Sequence, residues 1–446
     1  MGNFVTLDLI LKQFAERDIR HVKLGAVDID GVLRGKYVSL EKFTSAAASG
    51  LGFCDVIFGW DIADVLLDNV KYTGWHTGYP DAHATIDLAT LRYIPWEPGT
   101  AFFLMDLQDK EGNPLGISPR QVLRHVLSQA ADLGYSVNLG SEYEFWMFSE
   151  TPQSIREKGY RNLQSLSPGM FGYSILRSSQ NSTWVKAILD QLPAFNIALE
   201  GFHTETGPGV YEAAIAVQPG LEAADRSMLF KTSVKEISAR HNLIPTFMAK
   251  WNADLPGSSG HIHQSLSRDG EPAFYGDCNV MKQYIAGLVK YLPELMPMIC
   301  PTINSFKRTV PGTWAPVNAT WGVDNRTTAI RAITGSPKST RIELRLSGAD
   351  MNAYVAMAAS VAAGLAGIEE NLTPPDPATN AYSDTNAPAL PRSLEEATAL
   401  FKKSVMARKY FGDDFVDHYS LTREWEVRQA GRAVTNWELE RYFESI

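Results

Sequence analysis

The stretch "GSEYEFWMF", residues 140–148, constrains this chain more than any other. Glu142 and Glu144 are two residues apart, so on a strand both carboxylates leave the same face, with Tyr143 and Phe145 on the other. An E-x-E pair on a strand is ordinarily a solvated face, but the aromatic flanks predict a buried strand here. Two unpaired carboxylates in a buried strand repel each other and are costly to desolvate. The fold must therefore bring cations, or the side chains that hold them, to this strand.

Other segments supply matching partners. In "HTETGPGVYEAAI", Glu205 and Glu212 flank a Gly-Pro-Gly turn that can direct both to one point. "GSSGHIHQSL" presents His261 and His263 at i, i+2 behind glycines that permit close backbone approach. "STRIELRLS" alternates Arg341, Glu343 and Arg345 on one strand face, with Ile342, Leu344 and Leu346 predicting burial of the other. Such a set is mostly oxygen donors, which suits Mg²⁺ or Mn²⁺ better than zinc or copper, and its richness in carboxylates predicts more than one ion. Lys307, Arg308, Arg326 and Arg331 add anion-seeking cations around a Gly-Thr-Trp-Ala-Pro turn that carries Trp314. Ions and arginines together point to nucleotide phosphates and phosphoryl transfer. Neither GxxxxGK[ST] nor a kinase glycine loop is present, which argues against P-loop NTPases and protein kinases.

At 446 residues the chain exceeds what one core usually serves. A small mixed domain is expected over residues 1–110 and a large catalytic one over 111–446, starting near the Ser118-Pro119 helix signal. Within the first, the alternation around Asp30-Gly31 predicts a hairpin. Residues 371–393, rich in Pro, Asn and Ser, read as an exposed loop. The net charge of −9 gives no support to nucleic-acid or anionic-membrane binding. Cys54, Cys278 and Cys300 lack CxxC spacing and are expected to be buried thiols. Residues 354–368 are apolar but too short to span a bilayer, and are expected to form a core helix. Met1 to Thr6 match a myristoylation pattern with no polybasic second signal, so no lipid anchor is expected. With no secretory pattern at the start, a cytoplasmic protein is expected.

In this order, from "VDIDGVLRGKYV" to "VTNWELERYF", these motifs resemble the glutamine synthetase superfamily. The resemblance implies an α+β fold: a β-grasp-like N-terminal domain, and a catalytic α/β domain whose antiparallel sheet forms the active-site funnel. It implies a homo-oligomer of two stacked hexameric rings, a dodecamer, with each active site between subunits. It implies ATP and two or more Mg²⁺ or Mn²⁺ ions, one held by Glu144, Glu205 and Glu212, the other by Glu142, His261 and Glu343. By the same resemblance His263 and Ser265 line the ATP site, while Lys338 and Arg341 contact nucleotide phosphates. Gly257, Arg308 and Arg345 match positions around the glutamate substrate, and Arg326 and Arg331 those facing the transferred phosphoryl group. The implied reaction phosphorylates the glutamate side chain, and an amine then displaces phosphate from γ-glutamyl phosphate.

The chain departs from the ammonia-using pattern in two places. Trp314 stands where those members carry a flap glutamate that helps to bind and deprotonate ammonium, and tryptophan accepts no proton. Where they have Asp-Gly-Ser-Ser, this chain reads "GFCDVIFGWDIADV", with Phe53, Val56, Ile57 and Phe58 replacing polar groups. Both changes predict an organic amine, with Trp314, Phe53 and Phe58 as its contacts. The expected class is therefore the γ-glutamylanilide, γ-glutamylisopropylamide and γ-glutamylpolyamine synthetases, at the first step of amine catabolism. Aromatic or alkyl monoamines rank before polyamines such as putrescine, and ammonia, the glutamine synthetase substrate, comes last. Trp314 can alternatively pack the flap closed, and a catalytically silent ring-forming homologue is the reading from another class. Pro256 and Val210 also depart from common family residues, and no counterpart of the adenylylated tyrosine loop is found.

Overall fold

The computed structural model describes residues 6–276, 279–310, 312–382 and 387–446. The myristoylation pattern at Met1 and the thiol of Cys278 lie outside the described residues. Six strands form the first sheet: β1 (His21–Val27), β2 (Leu33–Ser39), β3 (Leu51–Cys54), β4 (Asp81–Ile86), β5 (Arg92–Tyr93) and β6 (Thr100–Gln108), in the order β2-β1-β6-β4-β3 with β5 beside β6. β1 and β2 are the hairpin expected around Asp30-Gly31. Its turn is set locally: Asp28 accepts the N–H groups of Asp30 and Val32 at 3.0 and 2.8 Å, and Gly31 takes φ +85°. β1 and β6 run parallel, and the helices Leu7–Glu16 and Leu40–Ser49 bring Phe14 and Phe43 against Phe103. Phe58 lies in this core with 0% exposure. That removes it from the expected amine contacts, because its ring is already covered. Cys54 is half-buried rather than the buried thiol expected, whereas Cys300 is buried.

The second sheet takes β7 (Ser136–Phe148), β8 (Leu199–Thr204), β9 (Val210–Pro219), β10 (Ile244–Thr246), β11 (Gly260–Arg268), β12 (Glu271–Pro272), β13 (Trp321–Val323), β14 (Ile330–Ile333) and β15 (Arg341–Leu344). The order is β13-β14-β15-β11-β7-β9-β8, with β10 against β7 and β12 against β11. All pairings are antiparallel except β13 with β14. Alternation decides the faces. Tyr143 and Phe145 are buried against Phe230 of the helix Gly220–Ala239, so Glu142 and Glu144 face the other way. The helix Ala353–Glu369 is buried along most of its length. Among the described residues no helix is long and apolar enough to cross a membrane.

The helix Pro119–Asp132 begins at Ser118 with proline at its first turn, as expected, and carries Arg120 into a bracket between the two sheets. Arg120 binds Asp106 of β6 at 2.8 Å, Asp87 at 2.9 Å and Asp225 of the helix Gly220–Ala239 at 2.9 Å. Residues 371–393 are less free than an exposed loop. Trp321 Nε1 donates to the carbonyl of Pro375 at 2.7 Å, Ala378 N–H to that of Trp321 at 2.8 Å, and Ala319 N–H to that of Pro388 at 2.9 Å. Lacking periodicity, the segment is held through its backbone, which composition cannot reveal.

Candidate active site

Strand register assembles the site. Glu142 of β7 pairs with His261 of β11, and His263 pairs with Glu343 of β15, which in turn pairs with Arg331 of β14. On the other side of β7, Glu144 pairs with Glu212 of β9, and Glu212 with His203 of β8. Residues from distant segments thus become neighbours on one polar face.

Two groups of donor atoms converge within 4.8 Å: Glu142, His261 and Glu343, and His203, Glu205 and Glu212. In the first, His261 Nδ1 lies 3.4 Å from Glu142 and 3.3 Å from Glu343, and His263 Nε2 lies 3.1 Å from Glu142. Burial works to raise the pKa of Glu142, but His261 and His263 beside it outweigh burial and hold it well below the usual range. Burial also opposes ionisation of Glu343, yet the charges of His261 and Arg345 bring it down to about 2. Both carboxylates are therefore anionic, and hard oxygen donors with one imidazole fit a divalent ion such as Mg²⁺ or Mn²⁺.

In the second group His203 Nε2 lies 3.3 Å from Glu212 and Nδ1 3.9 Å from Glu205. The hydrogen bond with Glu212 raises the pKa of His203. Glu144 is not among the converging three. It stands directly opposite Glu212 on the ladder, and its carboxylate accepts the N–H of Ser259 at 2.6 Å. His203 was not singled out from the sequence. Its signal was the i, i+2 spacing to Glu205, the same spacing that marks Glu142 and Glu144.

A cavity of about 580 Å³ opens beside the first group. Glu142, His263, Ser265, Lys338 and Arg341 all line it, so the four residues matched to the ATP site share one space. Arg341 Nε donates to His263 Nδ1 at 3.1 Å, which leaves the proton of a neutral ring on Nε2, facing Glu142.

The arginines divide by partner. Arg331 spans Asp324 at 3.0 Å and Glu343 at 2.9 Å, and Arg345 also pairs with Glu343. Arg326 is exposed on the turn between β13 and β14. Arg308 is buried, and donates to the carbonyls of Arg345 at 3.3 Å and Ser347 at 3.0 Å and to that of Leu346. It holds the backbone around Arg345 rather than presenting its charge to a cavity, although its Nε lacks a protein partner. A Cβ at Gly257 would fall 2.4 Å from Cγ of Arg308, so this close approach requires glycine. Trp314 is 68% exposed with φ +60°, so it does not pack the flap closed within this chain. Phe53 is half-buried with the Lys36 ammonium 5.2 Å from its ring centroid.

Paired carboxylate centres beside a cation-lined cavity are an arrangement that suits divalent ions and an anionic, phosphate-bearing ligand. The family described as "Glutamine synthetase, catalytic domain" matches residues 116–442, and the chain belongs to the glutamine synthetase family of ATP-dependent carbon–nitrogen ligases. It is 47% identical to "Type-1 glutamine synthetase 2" of Dictyostelium discoideum, over 98% of this chain and 86% of that one. It is 42% identical to "Glutamate--isopropylamine ligase" of a Pseudomonas species over 98% of each chain. "Gamma-glutamylethanolamide synthetase GlnA4" of Streptomyces coelicolor is 37% identical over 97% of this chain and 94% of its own length. The solved structure "Apo GmaS without ligand" superposes with a TM-score of 0.84 at 25% identity, covering 99% of this chain and 100% of the other.

Proposed function

We propose that this enzyme joins the γ-carboxylate of glutamate to an organic amine, an aromatic or alkyl monoamine in first place, at the opening step of an amine-breakdown route. The observation that carries the reading is Trp314, an exposed indole on the flap where a proton-accepting glutamate serves ammonia-using relatives. The names of the Pseudomonas and Streptomyces relatives, a ligase of glutamate with isopropylamine and a synthetase of γ-glutamylethanolamide, support it.

Glu142, His261 and Glu343 would hold one divalent ion, and Glu144, Glu205 and Glu212, joined by His203, a second. Such ions supply positive charge that offsets the charge of the nucleotide phosphates. Lys338, Arg341, His263 and Ser265 hold the nucleotide in the 580 Å³ cavity. A glutamate carboxylate oxygen attacks the γ-phosphorus of ATP and ADP leaves, with Arg326 and Arg331 facing the transferred group. The amine, as its free base, then attacks the acyl carbon; the C–O bond to phosphate breaks and the amine's proton leaves with the phosphate, the guanidiniums having absorbed its charge. Arg345 orients glutamate, supported by Arg308 and Gly257. Trp314, together with Phe53, covers the amine's hydrocarbon. Residues 1–110 and 111–446 act as separate domains of a cytoplasmic ring assembly of two stacked hexamers.

A second reading, glutamine synthesis from ammonia, is favoured by the 47% identical Dictyostelium relative. A third, a polyamine substrate, follows from the attraction of an ammonium to the Trp314 face. Phosphate release with Mg²⁺, ATP and glutamate, measured against aniline, isopropylamine, ethanolamine, putrescine and ammonia, decides among them. A monoamine is expected to give the highest kcat/KM. Turnover with ammonia alone overturns the amine reading, and no turnover with any amine leaves a silent homologue.

A further inference from the structure

The flap turn holding Trp314 needs an external support, because a β-carbon-bearing residue at φ +60° is in the left-handed region that L side chains avoid. That support comes from residues 375–382. Trp321 Nε1 donates to the Pro375 carbonyl at 2.7 Å, and Asn325 Nδ2 to the carbonyls of Ala378 and Thr379 at 2.9 and 3.1 Å. Ala381 N–H donates to Thr327 Oγ1 at 3.3 Å. The segment is therefore bound to both sides of the turn that carries Arg326.

At its end stands Tyr382. Its hydroxyl donates to the Ala315 carbonyl, the residue after Trp314, at 3.4 Å. Burial pushes the hydroxyl's pKa up, so it remains protonated and keeps its donor role. The same oxygen feels the charge of Arg345.

We infer that Tyr382 is a positioning residue for amine selection: it holds the Trp314 turn in register with the Arg326 turn, through a segment bonded to both. Tyr382 touches no reacting atom. It acts through Trp314, so the inference rests on the amine-ligase reading.

The test is Tyr382→Phe, which deletes one oxygen and keeps the ring. Loss of this hydrogen bond is expected to raise the KM for the preferred monoamine about threefold or more, with the KM for ATP and the Tm unchanged. In a Trp314→Ala background the same substitution is expected to leave the amine KM where Trp314→Ala alone puts it. A merely structural tyrosine would instead lower Tm and disturb ATP and amine alike, and that result overturns the inference. So does an amine KM unmoved by Tyr382→Phe. If Trp314→Ala alters the amine profile while Tyr382→Phe does not, the positioning role falls and the ligase reading stands. If Trp314→Ala changes nothing, or no amine is turned over, both fall.

Discussion

Glu144 and Glu212 stand directly opposite each other where β7 pairs with β9, two carboxylates on one ladder step. Like charges so placed weaken a sheet by up to about 1 kcal/mol. Binding chemistry is therefore held at some expense of stability, and a cation relieves it. In chelator, Glu144→Gln is expected to melt at or above the wild-type temperature. Added Mg²⁺ should raise the wild-type Tm more than the variant's, and turnover of the variant should drop at least about 100-fold. Equal Mg²⁺ responses in thermal unfolding would exclude Glu144 from ion binding.

Acid should find the first donor group through Glu343. Its carboxyl is held down to about 2 from an ordinary 4.5, against burial, by His261 and Arg345. A depressed folded-state pKa contributes stability that is complete above pH 4.5 and is lost as the pH falls towards 2, roughly 3 kcal/mol in all. Urea unfolding of the metal-free protein should show the gap between wild type and Glu343→Gln narrowing between pH 5 and pH 3. A gap independent of pH over that interval contradicts the assignment.

Arg341 contacts His263 and lines the cavity with Lys338. Arg341→Gln is expected to raise the KM for ATP roughly tenfold, the loss of a charge-assisted contact, and to leave the amine KM in place. Steady-state kinetics with each substrate varied in turn check this, and a change confined to the amine would place the nucleotide elsewhere.

Arg120 joins Asp106 of β6 and Asp87 of the first sheet's side to Asp225 of the helix Gly220–Ala239, which is buried. Arg124 still serves Asp106, but removal of Arg120 leaves the buried Asp225 with the Tyr354 hydroxyl and no cation, so Arg120→Leu should cost about 3–5 kcal/mol. Denaturant unfolding would show it, and a cost under about 1 kcal/mol would mean that the aspartates find other partners.

Much of the site was legible along the chain, because side-chain direction on a strand is local. Glu142 with Glu144, and Arg341 with Glu343 and Arg345, declared their shared faces by spacing alone. Other features were hidden. Phe58 reads as an apolar replacement in a pocket, yet it fills the core under the first sheet. Arg308 reads as a substrate-binding cation, yet one of its nitrogens, Nη2, is turned to three backbone carbonyls. Tyr382 sits in a stretch whose composition says only loop, and its role appears once the flap is folded onto it.

By itself the sequence determined which donors exist, which of them share a strand face, and to which family they belong. The tertiary structure decided which donors meet. Glu212 reaches His203 and Glu144 through the registers of β9 with β8 and β7, and Glu343 reaches His261 through that of β15 with β11. Alternation has a period of two and is written in neighbouring residues. Register depends on turns and on the packing of helices against the opposite face, and a slip of one residue would turn every one of these carboxylates into the core.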